Sequence, residues 1–249
     1  MTQREMAGHV RAQLAVDLNC TQEDMAGEKD GLVFVEAAEN PGRRPFPRRE
    51  HHFEMLTMGQ SIVVSATPVL LERVRPQLMG LYRDDAFAVP FVYGHSLYYL
   101  PELPVRRSVP KPEGFAFALA EREDIPALYA LEGFHNALGY DIHHPRPDVL
   151  ATLAMREGRV VGVAGASADC GMMWQVGIDV LPECRGFGLA SYLVWELTRE
   201  VLERGKIPYY GTASSNIASQ RVAHRAGYLP AWVCAYRGRF DDLELLPTS

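Results

Sequence analysis

The segment IDVLPECRGFGLASYLVWELTREVLERGKIP, Ile178 to Pro208, restricts the fold of this chain more than any other. Apolar Ile178 and Val180 alternate with Asp179 as in a strand, and Pro182 stops it. Leu189, Leu193, Leu197 and Val201 then recur at helical spacing, with Glu196, Arg199, Glu200 and Glu203 off that stripe, and Gly205 marks the helix end. A strand that passes directly into a helix leaves the first helical amides unpaired and exposes the positive end of the helix dipole. Arg185-Gly186-Phe187-Gly188 falls at that junction. Glycines there let backbone N–H groups approach an oxyanion without a Cβ in the way, and Arg185 adds a permanent cation for a phosphate. A tight turn requiring φ > 0 would use the same glycines, so the loop alone leaves both uses open. A dinucleotide fold would need a third glycine and an acid further on, and a P-loop would need G-K-[ST]; neither is present.

The residues around this segment predict an orderly C-terminal half. Phe115–Ala120 alternates as a strand, and Asp124 is placed to cap a helix from Ile125 to Leu131. Val149–Met155, Arg159–Ala168 and Met172–Leu181 read as an antiparallel meander turning at Glu157-Gly158-Arg159 and Asp169-Cys170-Gly171. The N-terminal half predicts a helix from Gly8 to Leu18, short strands at Leu32–Val35 and Ser61–Ala66, and a helix from Pro68 to Leu81. Pro101, Pro104, Pro110 and Pro112 interrupt regular structure between the halves. The expected division is an N-terminal α+β domain at 1–108, a linker at 109–114 and a C-terminal domain at 115–249, within an overall α/β (α+β) class. Arg43, Arg44, Arg48 and Arg49 sit in a second Pro-rich stretch and are expected to be solvated loop charges rather than a phosphate grip.

Composition narrows the function. With 47% hydrophobic and 22% charged residues the chain is an ordinary globular one, not a disordered or collagenous polypeptide. Its 31 acidic and 25 basic residues give a net charge of −6, which argues against nucleic acid as the main partner. Four cysteines stand far apart without a C-x-x-C pair, so no local zinc or dithiol site is expected, and the setting expected is reducing and cytoplasmic. The first residues, MTQREMAGHVRAQLAVDLNC, contain no apolar run of signal-peptide or membrane-span length, so neither secretion nor a membrane association is expected.

Arg185-Gly186-Phe187-Gly188-Leu189-Ala190 matches in full the [QR]-x-x-G-x-[GA] loop of the GNAT superfamily of acyl-CoA N-acyltransferases. Ile178-Asp179-Val180-Leu181-Pro182 is similar to that family's signature strand, and SNIASQRVAHRAGY, with Asn216, Ser219, Gly227 and Tyr228, is similar to its later helix and strand. The resemblance spans roughly residues 114–240. Together with AVDLNC near the start, the motifs look like a two-domain bacterial subgroup whose acceptor is unknown. The resemblance implies a GNAT-like C-terminal fold that binds acetyl-CoA or another acyl-CoA at Arg185 to Ala190. It also implies that Ile178 and Val180 pair their backbones with the pantetheine arm, that the Val180 amide polarises the thioester carbonyl, and that Asn216 and Ser219 lie near the thiol. The acyl group would pass to a small-molecule or peptide amine by direct attack. The N-terminal domain would shape the acceptor pocket or a homodimer interface.

Two family features are missing. Many members carry a thiolate-protonating Tyr seven residues after the Asn216 position, where this chain has Ala223. Others carry a Glu base on the signature strand, where Trp174 and Gln175 stand and neither takes up a proton. A lysine-like amine with pKa near 10.4 is neutral only about once in two thousand at pH 7, a penalty of about 4–5 kcal/mol. Asp179 is a candidate base, on the opposite face from Ile178 and Val180, against a structural role. Tyr210 is a candidate donor to the thiolate, against ordinary aromatic packing. In GFHNALGYDIHHPRP, His135, Asn136 and Tyr140 are candidate acceptor contacts, and His143 or His144 a candidate base. The missing Tyr and Glu also motivate an alternative: an acyl-CoA-binding or regulatory module without turnover.

Overall fold

In the computed structural model, which describes residues 1–46, 51–105 and 108–238, the chain opens with helix α1 (Gln3–Leu18). The helix begins well before the predicted Gly8 because Thr2 and Glu5 cap it reciprocally: Glu5 N–H donates to Thr2 Oγ1 at 3.2 Å and Thr2 N–H to Glu5 Oε2 at 2.7 Å. Met6, Val10, Leu14 and Leu18 form its buried stripe. Next come α2 (Gln22–Met25), β1 (Leu32–Glu36), β2 (Phe53–Thr57), β3 (Ile62–Ala66), α3 (Pro68–Leu78), α4 (Arg83–Ala88) and β4 (Val92–Pro101). Helix α3 stops short of the predicted Leu81 because Gly80 turns at φ +79°. The later half contributes β5 (Ala116–Glu121), α5 (Ile125–Leu128), β6 (Asp148–Arg156), β7 (Arg159–Ala168) and β8 (Met173–Val180). A 3₁₀ turn at Pro182–Cys184 leads to α6 (Leu189–Glu203), β9 (Ile207–Ala213), α7 (Ile217–Arg225) and β10 (Tyr228–Gly238).

These elements form two compact units, each drawn from several stretches of sequence. One comprises Ala7–Tyr98, Ala213–Ser215 and Ala231–Ser249, and the other Met1–Met6, Tyr99–Thr212 and Asn216–Pro230. In the first, β1 runs parallel to β3, β3 antiparallel to β2, and Val233–Ala235 of β10 antiparallel to β2. Helix α3 buries Leu70, Val74 and Leu78 against Met55, Ile62 and Val64 of this sheet. Arg44 departs from the expected solvated loop charge. It is buried, with both its backbone N–H (2.8 Å) and its Nε (2.5 Å) donating to Asp17. Arg43 donates to the Phe46 carbonyl, while Arg48 and Arg49 lie outside the described residues.

The second unit is a mixed α/β layer. Strands β6 to β8 form the predicted antiparallel meander, β5 adds antiparallel to β6, and β9 joins β8 in parallel. The β6–β7 turn places Glu157 (φ 53°) and Gly158 (φ 77°) in the left-handed region, the geometry that matches strand twist in a two-residue hairpin. Phe134, Ala137, Leu138 and Ile125 pack on Ala151, Leu153 and Val163 of the sheet. Helix α6 is tied to β6 by Thr152 Oγ1, which donates to the Leu193 carbonyl. Helix α5 ends at Leu128, not Leu131, and Asp124 does not cap it; its Oδ2 accepts the Glu121 N–H instead. Residues 129–147 contain no helix, which follows from their prolines and from left-handed backbone at Gly133 (φ 91°) and Tyr140 (φ 56°). No helix of the described residues is long and apolar enough to cross a membrane.

Candidate functional site

Strands β8 and β9 begin paired and then part. Their ladder runs from Met173↔Ile207 to Val176↔Tyr210, after which β8 continues to Val180 and β9 to Ala213. On its other edge β8 stays bonded to β7 as far as Gly162↔Val180. Just beyond, Leu181 N–H donates to Val161 on the β7 side, so strand alternation turns the backbone groups of Val180 and Ile178 to the opposite edge, toward the gap. The Val180 carbonyl is taken by Arg185 Nε at 3.0 Å, leaving the Val180 N–H as its group for a ligand.

The loop after β8 has the form its sequence predicts. Gly186 (φ +86°) and Gly188 (φ +84°) are left-handed, and a Cβ on either would meet nothing within 4 Å. Conformation, not crowding, therefore demands glycine at both positions. Gly188 precedes α6 and no side chain caps that helix, whose first intrahelical bond in this turn is Tyr192 N–H to the Gly188 carbonyl. The amides of Leu189, Ala190 and Ser191 consequently have no partner one turn back. Arg185 is exposed, and Phe187, 55% exposed, sets its ring edge against Phe115 at 5.7 Å. Cys184 is buried in the 3₁₀ turn, as a spacer would be.

At the last paired position of β9 lies Tyr210, 2% exposed, its hydroxyl 2.7 Å from Ser219 Oγ. Ser219 sits in the first turn of α7, where its N–H donates to Asn216 Oδ1 at 3.1 Å. Burial raises the Tyr210 pKa; the Ser219 bond opposes this, while Asp179 and Tyr99 add to it. The hydroxyl thus stays protonated at neutral pH, and either it or the Ser219 hydroxyl donates in their bond. Tyr99 was missed by sequence reasoning, since it comes from β4, far away in the chain, and carries no motif. Ala223 is buried, and the nearby Tyr228 bonds Thr198.

The remaining candidates lie on the loop at 133–147. Asp179 accepts the backbone N–H of Asn136 (2.7 Å) and Ala137 (3.0 Å) and the Asn136 side-chain amide (2.7 Å). Tyr140 accepts the Phe134 N–H and donates to the Leu131 carbonyl, and exposed His135 rests its ring 5.0 Å from that of Tyr140. His144 Nδ1 accepts the Arg146 N–H, and His143 is exposed. Asp148 accepts Tyr129 Oη and the Gly139 N–H, and burial raises its pKa. The structure thus brings Asp179 together with Asn136, and Tyr210 with Ser219, while the bonds of His143 and His144 run to Asp141 and Arg146 of their own loop. Among the described residues no cluster of three or more His, Cys, Asp or Glu side chains could hold a metal ion.

Residues 115–228 match the Acetyltransferase (GNAT) family. No curated protein matches the chain. Similar solved structures include a GCN5-related N-acetyltransferase-like protein from Streptococcus suis, 18% identical over 71% of this chain and 71% of that one, with TM-score 0.44. A GNAT-family acetyltransferase from Colwellia psychrerythraea is 16% identical over 71% of this chain and 76% of that one, with TM-score 0.44. AAC(6')-Iy, in complex with the bisubstrate analogue CoA-S-monomethyl-acetylneamine, is 20% identical over 47% of this chain and 92% of that one, with TM-score 0.37.

Proposed function

Because residues 115–228 are a GNAT-family acetyltransferase domain, we propose that this protein transfers the acetyl group of acetyl-CoA to an amine by direct attack. The observation that carries this reading is the unsealed N-terminus of α6, with its two left-handed glycines, beside the β8 edge that β9 leaves unpaired. The CoA pyrophosphate lies on the amides from Gly186 to Ala190, with Arg185 as counter-charge and Phe187 at the rim. Pantetheine adds to the edge at Ile178 and Val180 as a further strand would. The Val180 N–H donates to the thioester oxygen, where negative charge develops. The neutral amine attacks the carbonyl carbon, the C–N bond forms and the C–S bond breaks. Tyr210, bonded to Ser219, donates its proton to the departing thiolate, and the phenolate is reprotonated from solvent as the amine nitrogen sheds its proton. Proximity and carbonyl polarisation supply most of the rate.

Tyr210 takes the role that elsewhere in the family falls to a tyrosine at the position of Ala223. A second reading, a binding module without turnover, is favoured by that alanine. Thermal unfolding with acetyl-CoA, CoA and NADH, followed by thiol release with a panel of amines, separates the readings. Ligand at 100 times Kd adds about 2.7 kcal/mol. Acetyl-CoA and not NADH should raise the transition, and amines should liberate CoA; saturation without CoA release would leave the binding module. The described cysteines are all free thiols, which fits a reducing, cytoplasmic setting.

A further inference from the structure

A carboxylate on β8 beside the gap invites assignment as the base, yet the oxygens of Asp179 are already engaged. Oδ2 accepts two backbone N–H groups, at 2.7 and 3.0 Å, and Oδ1 accepts the Asn136 amide at 2.7 Å. A carboxylate has about four lone-pair sites, so three are committed. Taking up a proton would turn an oxygen now facing N–H donors into a donor itself and break part of this set. The floor beneath the loop is equally specific. Gly165 and Gly177 are register partners on β7 and β8. A Cβ on Gly177 would fall 1.8 Å from the Asn136 carbonyl oxygen, and one on Gly165 1.9 Å from that of Ala137. The loop backbone therefore lies directly on the sheet at the first β8 residue beyond the β9 ladder, with Asp179 as the hook two residues further on. Tyr140 ties the loop to itself on its other side.

We propose that Asp179 is a positioning residue, which fixes residues 134–138 over the start of the gap so that His135 and Asn136 are preset for the acceptor amine, and is not the base that removes the amine proton. This rests on the acyltransferase reading above. A preset loop saves the ordering cost that a mobile one would incur when the acceptor binds.

The test uses full-length Asp179→Ala and Asn136→Ala. Amide hydrogen exchange is followed at residues 134–138, acetyl-CoA binding by calorimetry, and CoA release with spermidine, benzylamine and glycylglycine as acceptor probes. In Asp179→Ala, which removes both acceptor oxygens, the amides of Asn136 and Ala137 should exchange at least about tenfold faster. The KM of the probe amine should rise about tenfold and kcat change less than about threefold, with the acidic limb of the kcat–pH profile kept. Acetyl-CoA affinity should stay within about twofold. Unchanged exchange would overturn the proposal, as would a kcat loss of about a hundredfold with amine KM unchanged and the acidic limb gone. Should the wild-type protein fail to bind acetyl-CoA, the enzyme reading falls, while exchange at Asn136 and Ala137 still decides the clamp. Should Asp179→Ala not fold, Asn136→Ala removes only the side-chain bond; faster exchange confined to the loop with a smaller KM rise would support the clamp, and no change in either would overturn it.

Discussion

Helices α6 and α7 belong to the same unit and begin in opposite ways. Helix α7 starts at Asn216, whose Oδ1 accepts the Ser219 N–H, and the end is closed by its own side chain. Helix α6 starts at Gly188, which has no side chain to offer, and no other side chain caps it. A cap of the α7 kind contributes about 1 kcal/mol. Helix α6 does without it because its stability comes from packing: Leu189, Leu193, Val194, Leu197 and Val201 are all buried. The contrast separates a helix end that is structural from one whose unpaired donors are available to a ligand's oxygens.

Closing the open end should have the largest effect. Gly188→Glu puts a side chain at a left-handed position and a negative charge where the phosphates are expected, and acetyl-CoA binding should be lost; unchanged affinity in titration calorimetry would remove α6 from the cofactor site. Next comes the pair in which α7 meets chemistry. Tyr210→Phe should lower kcat about 10²-fold with acetyl-CoA affinity kept, and Ser219→Ala less. Because burial raises the Tyr210 pKa, its deprotonation should not reduce the wild-type rate until the pH passes the ordinary tyrosine value of about 10. Equal kcat in Tyr210→Phe would return this side chain to packing alone.

Opening the closed end should matter less. Asn216→Ala should cost about 1 kcal/mol in urea unfolding and weaken acetyl-CoA far less than changes at Gly188 do. Equal losses at both ends would abolish the distinction between them. The smallest effect is expected at Asp148, remote from either helix end. Its folded-state pKa is raised, first by burial, so its contribution is fully present below the unfolded value of about 3.9 and is lost as pH rises through the folded one. Asp148→Asn keeps an oxygen for Tyr129 and Gly139, so it should remove this loss, flattening stability against pH above about 4 while acetyl-CoA affinity stays constant.

The meander and the strand–loop–helix segment were legible because their signals are local. Gly158, Pro182, Gly188 and Gly205 punctuate the chain where the structure turns, and apolar periodicity fills the intervals. The early start of α1 was also written locally, in the Thr2–Glu5 pair, and went unread. Other features had no local signal. Arg44 lies in a Pro- and Arg-rich stretch whose composition suggests solvated charge, yet Asp17 draws it into the interior. Residues 125–131 carry apolar spacing compatible with a longer helix, but the helix ends at Leu128 and the chain turns left-handed at Gly133.

By itself, the sequence determined the order and type of most elements, the left-handed glycine loop before α6, and the family that the later half resembles. All of these depend on residues a few positions apart, whose backbone preferences and caps act before any tertiary contact forms. Only the tertiary structure decided what the candidate side chains do. Asp179 and Asn136 are separated by 43 positions, and the paired glycines that seat the loop lie on different strands. Tyr210 and Ser219, bonded through their hydroxyls, lie on a strand and on the helix after it. The three N–H groups that meet Asp179 and the burial of Tyr210 come from residues far apart in sequence, and only folding brings them together.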